Sequence, residues 1–505
     1  MANLKDKKVL MNIATNVLYE LVVLLFGLIL PRLYLVNFGS EVNGLDSTIK
    51  NIFGYLGLLE VGIGLASQYA LYGPASRNDQ KSMSEILVAT RNFYLRSGVF
   101  YTLITIAFAT VYPIIIKTTL PYFTVFMLIM LYGIPGIILF LLRGKYTVFL
   151  EVMGKQYILT TLTMITFVFS NILRLIFLIF SSNLILIQAT YCLPSIIQII
   201  IVIFYVKKKY PWIDWKAKPD KEALSQKDSV LVHQISSCVF GNTDAIIISV
   251  INGMNYVSVY AVFSLFFKYI QKIIAAFTKS FTFKLGHSFQ SDRDEFNRYF
   301  SLYETVYYAL LFMVFTLVTA FLYPVIKLYT AGVSDAAIYD STFLLVMFSI
   351  TNLIEAIETP LNQLVGVSGI FSDTKKYAVW GMVINLAVTL LTAPWLGIAG
   401  CLTGTIVAMV YRLACLFRYT CKNVRSISTW SIYRKLLVNA LLYAAVVILF
   451  MNFKCEARSY FYVAFKAILN ALWICPLFVL VNVMIDRESA AALFASIKKI
   501  FVKAG

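Results

Sequence analysis

The chain has 505 residues, of which 60% are hydrophobic and only 13% charged, with a net charge of +18 and a mean hydropathy of +0.79. Soluble domains average about half apolar and about a quarter charged, so this composition excludes one and leaves an all-α polytopic membrane protein. The apolar runs are continuous and about 20 residues long, which also excludes the short alternating strands of a membrane β-barrel.

In chain order the apolar segments fall at 9–30, 47–71, 93–116, 121–142, 157–180 and 184–206, then at 230–251, 256–278, 300–323, 341–365, 376–393, 396–417, 434–452 and 460–484. That predicts fourteen transmembrane helices. The N-terminal run follows lysines, as in a signal peptide, but it is too long for one and Glu20 interrupts it, so a retained first helix is expected. The pair 376–393 and 396–417 is separated only by Pro394-Trp395.

Between the sixth and seventh segments lies 207–229, the one long polar stretch, with Lys207, Lys208, Lys209, Lys216, Lys218, Lys221 and Lys227. Lysine-rich short loops stay on the cytoplasmic side. With this linker inside, the alternate connections carry further clusters such as Arg77, Lys81, Arg91 and Arg96, or Arg143, Lys145 and Lys155. The opposite connections hold only Arg32, Lys50, Lys117, Lys327, Lys454 and Arg458. A missed helix would invert later loops, and none inverts, so both termini are expected in the cytoplasm. The same distribution explains the positive charge without a nucleic-acid partner. The seven cysteines are scattered with no C-x-x-C, indicating neither a disulfide framework nor a zinc site.

A weak internal repeat supports two halves. Asn37-Phe38-Gly39-Ser40-Glu41-Val42 after the first helix matches Asn252-Gly253-Met254-Asn255-Tyr256-Val257 after the seventh, each with an Asn/Gly turn and a valine five residues on. The expected organisation is an N-lobe of helices 1–6 (1–206), the cytoplasmic basic linker (207–229), a pseudo-symmetric C-lobe of helices 7–12 (230–418), and accessory helices 13 and 14 with a basic tail (419–505). Parallel six-helix halves are a transporter architecture with the substrate path at their interface.

Charges at bilayer depth are costly and tend to be functional or paired. Those within the segments are Glu20, Glu60, Arg174, Asp244, Lys268, Lys272, Glu355 and Glu358, with Glu304 near a helix end. Lys268 and Lys272 are four apart and so share a helix face. Two ammonium groups there repel unless an anion sits between them, and a pyrophosphate suits that place. Arg174 is a further phosphate candidate, because guanidinium binds phosphate bidentately. The competing reading is internal pairing, Lys268 with Asp244 or Arg174 with Glu60. Glu20, Glu60, Asp244, Glu355 and Glu358 could bind H⁺ or Na⁺ and couple a gradient to transport, or partner basic residues. Pro360 follows the last two acids and should kink its helix. No G-x-x-x-x-G-K-[ST] and no nucleophile elbow occur, so neither an ATP site nor a hydrolase is expected. No cofactor is expected beyond the coupling ion.

Several stretches together resemble the polysaccharide exporter branch of the multidrug/oligosaccharidyl-lipid/polysaccharide flippase superfamily. They are Leu30-Pro31-Arg32 through Gly39 to Gly44, Leu59-Glu60-Val61-Gly62-Ile63-Gly64, and Asn242-Thr243-Asp244 through Gly253 to Tyr260. The resemblance implies a flippase that moves an undecaprenyl-pyrophosphate-linked oligosaccharide to the outer leaflet of a prokaryotic cytoplasmic membrane for surface polysaccharide synthesis. It further implies a path lined by helices 1, 2, 7 and 8, and membrane lipid and other glycan-assembly proteins as partners. The competing readings are an ion-coupled multidrug exporter, a membrane glycosyltransferase or polymerase, and a scaffold for the glycan machinery. Short outer connections speak against a polymerase, and the helix 8 lysines against export of a cationic drug.

Overall fold

The computed structural model describes residues 2–116, 118–180, 183–220, 228–425, 429–452 and 456–487, with side chains from Leu18 onward except at 61, 62, 65, 228–234, 429, 431 and several positions between 276 and 291. Lys221, Lys227 and the tail 488–505 therefore lie outside the described residues. The described chain is helical throughout, in sixteen α-helices joined by short turns. Backbone polar groups in hydrocarbon must be satisfied within their own segment, and apolar runs of this length meet that demand as helices.

Among the described residues, twelve helical stretches are long and apolar enough to cross a bilayer. Two further passes are hidden in that tally. The first helix, α1 (Ala2–Ser76), is two helices merged at Gly39, where φ is +78°. Its arms run in opposite directions. Tyr19 faces the start of α5 (Gln156–Phe180), and Asn37 donates to Leu178 O near that helix's end at 3.3 Å. Beyond the break, Glu41 accepts from Thr118 and Thr119, and Gln68 bonds Glu151 at the other end of the bundle. A non-glycine residue adopts that φ at a steric cost, so Gly39 is what lets the chain turn there. The other pass is the shorter apolar stretch Ile235–Ile251 of α8 (Asp228–Ile251). With these two, all fourteen expected passes find a place.

The chain divides into two compact units, Met1–Ser258 and Val259–Gly505. Unit 1 holds α1, α2 (Gln80–Ile115), α3 (Tyr122–Ile138), α4 (Gly144–Val152), α5, α6 (Leu184–Ala189), α7 (Leu193–Lys209), α8 and the first residues of α9 (Met254–Ser291). Unit 1 thus takes in one helix, α8, beyond the lobe boundary read from the repeat. The cause is local: α8 packs along the second arm of α1, where Tyr55 bonds Thr243 and Asn242 lies against Gly54. Asn43 Nδ2 donates to Ser258 Oγ at 2.6 Å, so the two repeated turns touch each other. Gly253, like Gly39, has positive φ (+93°).

Unit 2 holds the rest of α9, α10 (Arg293–Tyr329), α11 (Thr342–Ile357), α12 (Thr359–Ser368), α13 (Phe371–Leu396), α14 (Ile398–Thr420), α15 (Thr429–Asn452) and α16 (Tyr460–Ile485). Its core is aromatic, with Phe263, Phe267, Phe315 and Phe348 stacked and fully buried. The closely spaced pair is a hairpin, but its turn is at Gly397, and Pro394 stays inside α13. Asn385 donates to Thr405 at 3.0 Å and Thr392 to Gly400 O at 2.8 Å along its length. Pro360 does not kink one helix. α11 ends and α12 begins around Glu358, with the proline in the first turn of the new helix, where its missing N–H is harmless. The accessory helices α15 and α16 dock on α10 through Lys435, which bonds Asp486 at 2.6 Å and Thr305 at 2.8 Å, and through the buried Asn439–Asn482 amide pair.

Candidate functional site

Unit 1 contains a cavity of about 310 Å³ lined by polar side chains, among them Tyr19, Glu20, Arg143, Glu151, Thr163 and Gln198. Arg143 closes a π-helical turn, Leu139–Arg143, that follows Pro135 in α3. Such turns shift the register of side chains beyond them and occur often at functional sites. The shift aims Arg143 inward, where Nη1 donates to Gln198 Oε1, and Gln198 Nε2 donates to Thr166 at 2.8 Å. Glu60, half-buried on the second arm of α1, has Arg143 and Glu151 as its charged neighbours. Of the expected acids, Glu60 thus neighbours Arg143, and Glu20 lines the same cavity. Asp244 is buried elsewhere, on α8 beside Tyr55.

Arg174 is 9% exposed on α5, with its guanidinium 5.5 Å from the Tyr191 ring and its Nε and Nη2 without hydrogen-bond partners. Its charged neighbourhood includes Asp46 across Tyr34 and Tyr132. It belongs to unit 1, whereas the lysine pair belongs to unit 2.

In unit 2, Lys268 and Lys272 are both exposed on α9. Lys268 lies about 20 Å along that helix at 1.5 Å per residue, well within the apolar span. Between them Gln271 donates to Glu355 at 2.7 Å and to Asn352 at 3.0 Å, and Lys268 is a charged neighbour of Glu355. Glu358 is buried and held by Arg412, whose Nε donates to it at 2.7 Å. Glu304 does not snorkel from its helix end. It is 1% exposed and bonds Arg425 Nη1 at 2.6 Å, because the chain after α14 continues as a π-helical turn, Cys421–Arg425, and carries the arginine inward.

Arg143, Arg412 and Arg425 were the residues that sequence reasoning missed as interior charges. Each lies near the end of an apolar run, where a cation reads as a loop charge. Gln198 and Gln271 are further polar groups that the sequence reading did not single out, although each stands within a predicted apolar segment.

The fold and these interior charges define a class, a multi-pass helical membrane protein with two units and polar groups inside the span. Several solved structures share the fold. The lipid II flippase MurJ in an inward-closed conformation superposes with a TM-score of 0.70 at 14% identity, over 93% of this chain and 99% of that one. An inward-facing multidrug resistance MATE family transporter of the MOP superfamily gives 0.56 at 13% identity, over 79% and 96%. No protein-family model matches the chain, and no curated protein matches its sequence.

Proposed function

We propose that this protein is a flippase that carries a polyprenyl-pyrophosphate-linked oligosaccharide from the inner to the outer leaflet of a prokaryotic cytoplasmic membrane by alternating access. The observation that carries the reading is the pair of exposed lysines at bilayer depth on α9, on a fold shared over almost its whole length with a lipid II flippase. Lys268 and Lys272 receive the pyrophosphate, with Gln271 and Asn352 beside them as hydrogen-bonding groups. Arg174 is a second phosphate contact in this reading. Glu20, Glu60, Asp244, Glu355 and Glu358 supply proton or Na⁺ coupling, with Glu60 held near Arg143 and Glu358 on Arg412.

The test is flipping of a fluorescent polyprenyl-pyrophosphate oligosaccharide in proteoliposomes. Hydrogen bonds to charged groups contribute about 1.5–3 kcal/mol each, so Lys268→Ala or Lys272→Ala alone lowers the rate by about one to two orders of magnitude and the double variant lowers it further, while the protein stays folded. Equal rates would leave the flippase and remove the phosphate role from the lysines. A second reading, ion-coupled export of cationic drugs, is favoured by one feature: Glu20 and Glu151 outnumber Arg143 in the unit 1 cavity. Drug efflux without glycan flipping would select it.

A further inference from the structure

The basic linker is not a free tether over its described part. Residues 210–220 fold back onto unit 1, with Tyr210 and Ile213 buried in its core, Asp214 N–H donating to Ser84 Oγ at 3.2 Å, and Trp212 and Tyr210 against Phe149. This places Trp215 between two cations. Arg91 Nη1 of α2 donates to Trp215 O at 3.0 Å, and Lys145 Nζ of α4 lies 5.4 Å from the Trp215 ring and 5.0 Å from that of Tyr146. The charges that act on Lys145 are Arg91 and Lys207, both cations. Arg91 and Lys145 thus meet at Trp215, one on its carbonyl and the other over its ring, with Lys207 of α7 as a further cation near Lys145, and the buried Arg91 Nε has no hydrogen-bond partner.

We infer that Arg91 and Lys145, gathered on Trp215, with Lys207 beside Lys145, form a binding site for the phosphate of an anionic phospholipid headgroup. Basic pockets between helices at the membrane surface suit such headgroups. The surroundings favour a lipid over a soluble anion. Phe204, one turn before Lys207 on α7, is 68% exposed and offers apolar surface for acyl chains beside that cation. Tyr146, Trp212 and Trp215 are the amphipathic rings that collect at the headgroup level. An anion there would also screen the repulsion among the three cations and hold the linker's first half against α2 and α4.

The experiment uses the full chain in nanodiscs. Thermal unfolding is compared in phosphatidylcholine and in phosphatidylcholine with 20% (about one lipid in five) phosphatidylglycerol. The wild type gains several degrees from the anionic lipid. Arg91→Gln/Lys145→Gln loses at least half of that gain, whereas Lys375→Gln/Lys376→Gln, which removes two exposed charges from α13, keeps it. Equal responses of the two variants overturn the site, as does an equal gain from inorganic phosphate at matched ionic strength, which points to a soluble anion. Should the first variant not fold, native mass spectrometry of delipidated wild type decides: retained phosphatidylglycerol in preference to phosphatidylcholine supports the site, and no preference overturns it.

Discussion

At the residue scale the interior charges are the decisive feature, and two of the acids there, Glu304 and Glu358, are ion-paired with arginines. Glu358 is bound by Arg412, with side-chain exposures of 4% and 13%. Removing one member of a buried pair leaves an uncompensated charge and costs about 3–5 kcal/mol, whereas replacing both by apolar groups is often tolerated. Arg412→Met should therefore lower the thermal unfolding midpoint strongly in detergent, and Arg412→Met/Glu358→Leu should recover most of the loss. A neutral single variant would show that the pair does not hold α12 to α14. The acids themselves were legible, because a carboxylate inside an apolar run stands out. Their partners were not, because hydropathy along the chain cannot distinguish a cation in the headgroup region from one turned inward by a π-helical turn.

At the element scale, glycines and prolines set where helices turn and how closely they approach. The second arm of α1 passes so near the start of α9 that a Cβ on Gly44 would lie 1.8 Å from Met254 O. The obstacle is backbone, which cannot swing aside as a side chain can, so Gly44→Ala must push the two elements apart. We expect it to reduce folded yield and to weaken the Asn43–Ser258 bond one residue away. Size-exclusion recovery and amide exchange at 254–258 would report this, and wild-type behaviour in both would mean that the contact can be relaxed. The same small-residue logic explains α13 and α14. Gly400 and Gly404, four apart, sit against Thr392 and Thr389 and seat one helix directly on the other. That spacing was readable in the chain, yet the turn was expected at Pro394-Trp395. Proline inside a membrane helix is tolerated when neighbours satisfy the freed carbonyl, and Gly397 makes the turn instead.

At the scale of the whole molecule, the charge asymmetry predicts which end of unit 1 faces the cytoplasm. Lys207, Lys208 and Lys209 mark one end, and Thr118 with Thr119, bound to Glu41, marks the other. In a cysteine-free background, Thr118→Cys should react with an impermeant maleimide from outside intact cells and Lys208→Cys only after permeabilisation. The opposite pattern would invert the protein and reverse the direction of transport proposed for it.

The amino-acid sequence by itself determined the class, the fourteen passes and their alternation, because burial of apolar runs and placement of lysines are one-dimensional properties that each segment carries alone. It also marked the repeated turns at Gly39 and Gly253. Only the tertiary structure decided which charges meet. Glu60 near Arg143, Glu304 on Arg425, α8 against α1 and Trp215 of the linker on Arg91 all join residues far apart in the chain. Such pairings depend on helix rotation and on single-residue register shifts. Along the chain those leave almost no trace, but in space they move a side chain from the lipid face to the interior.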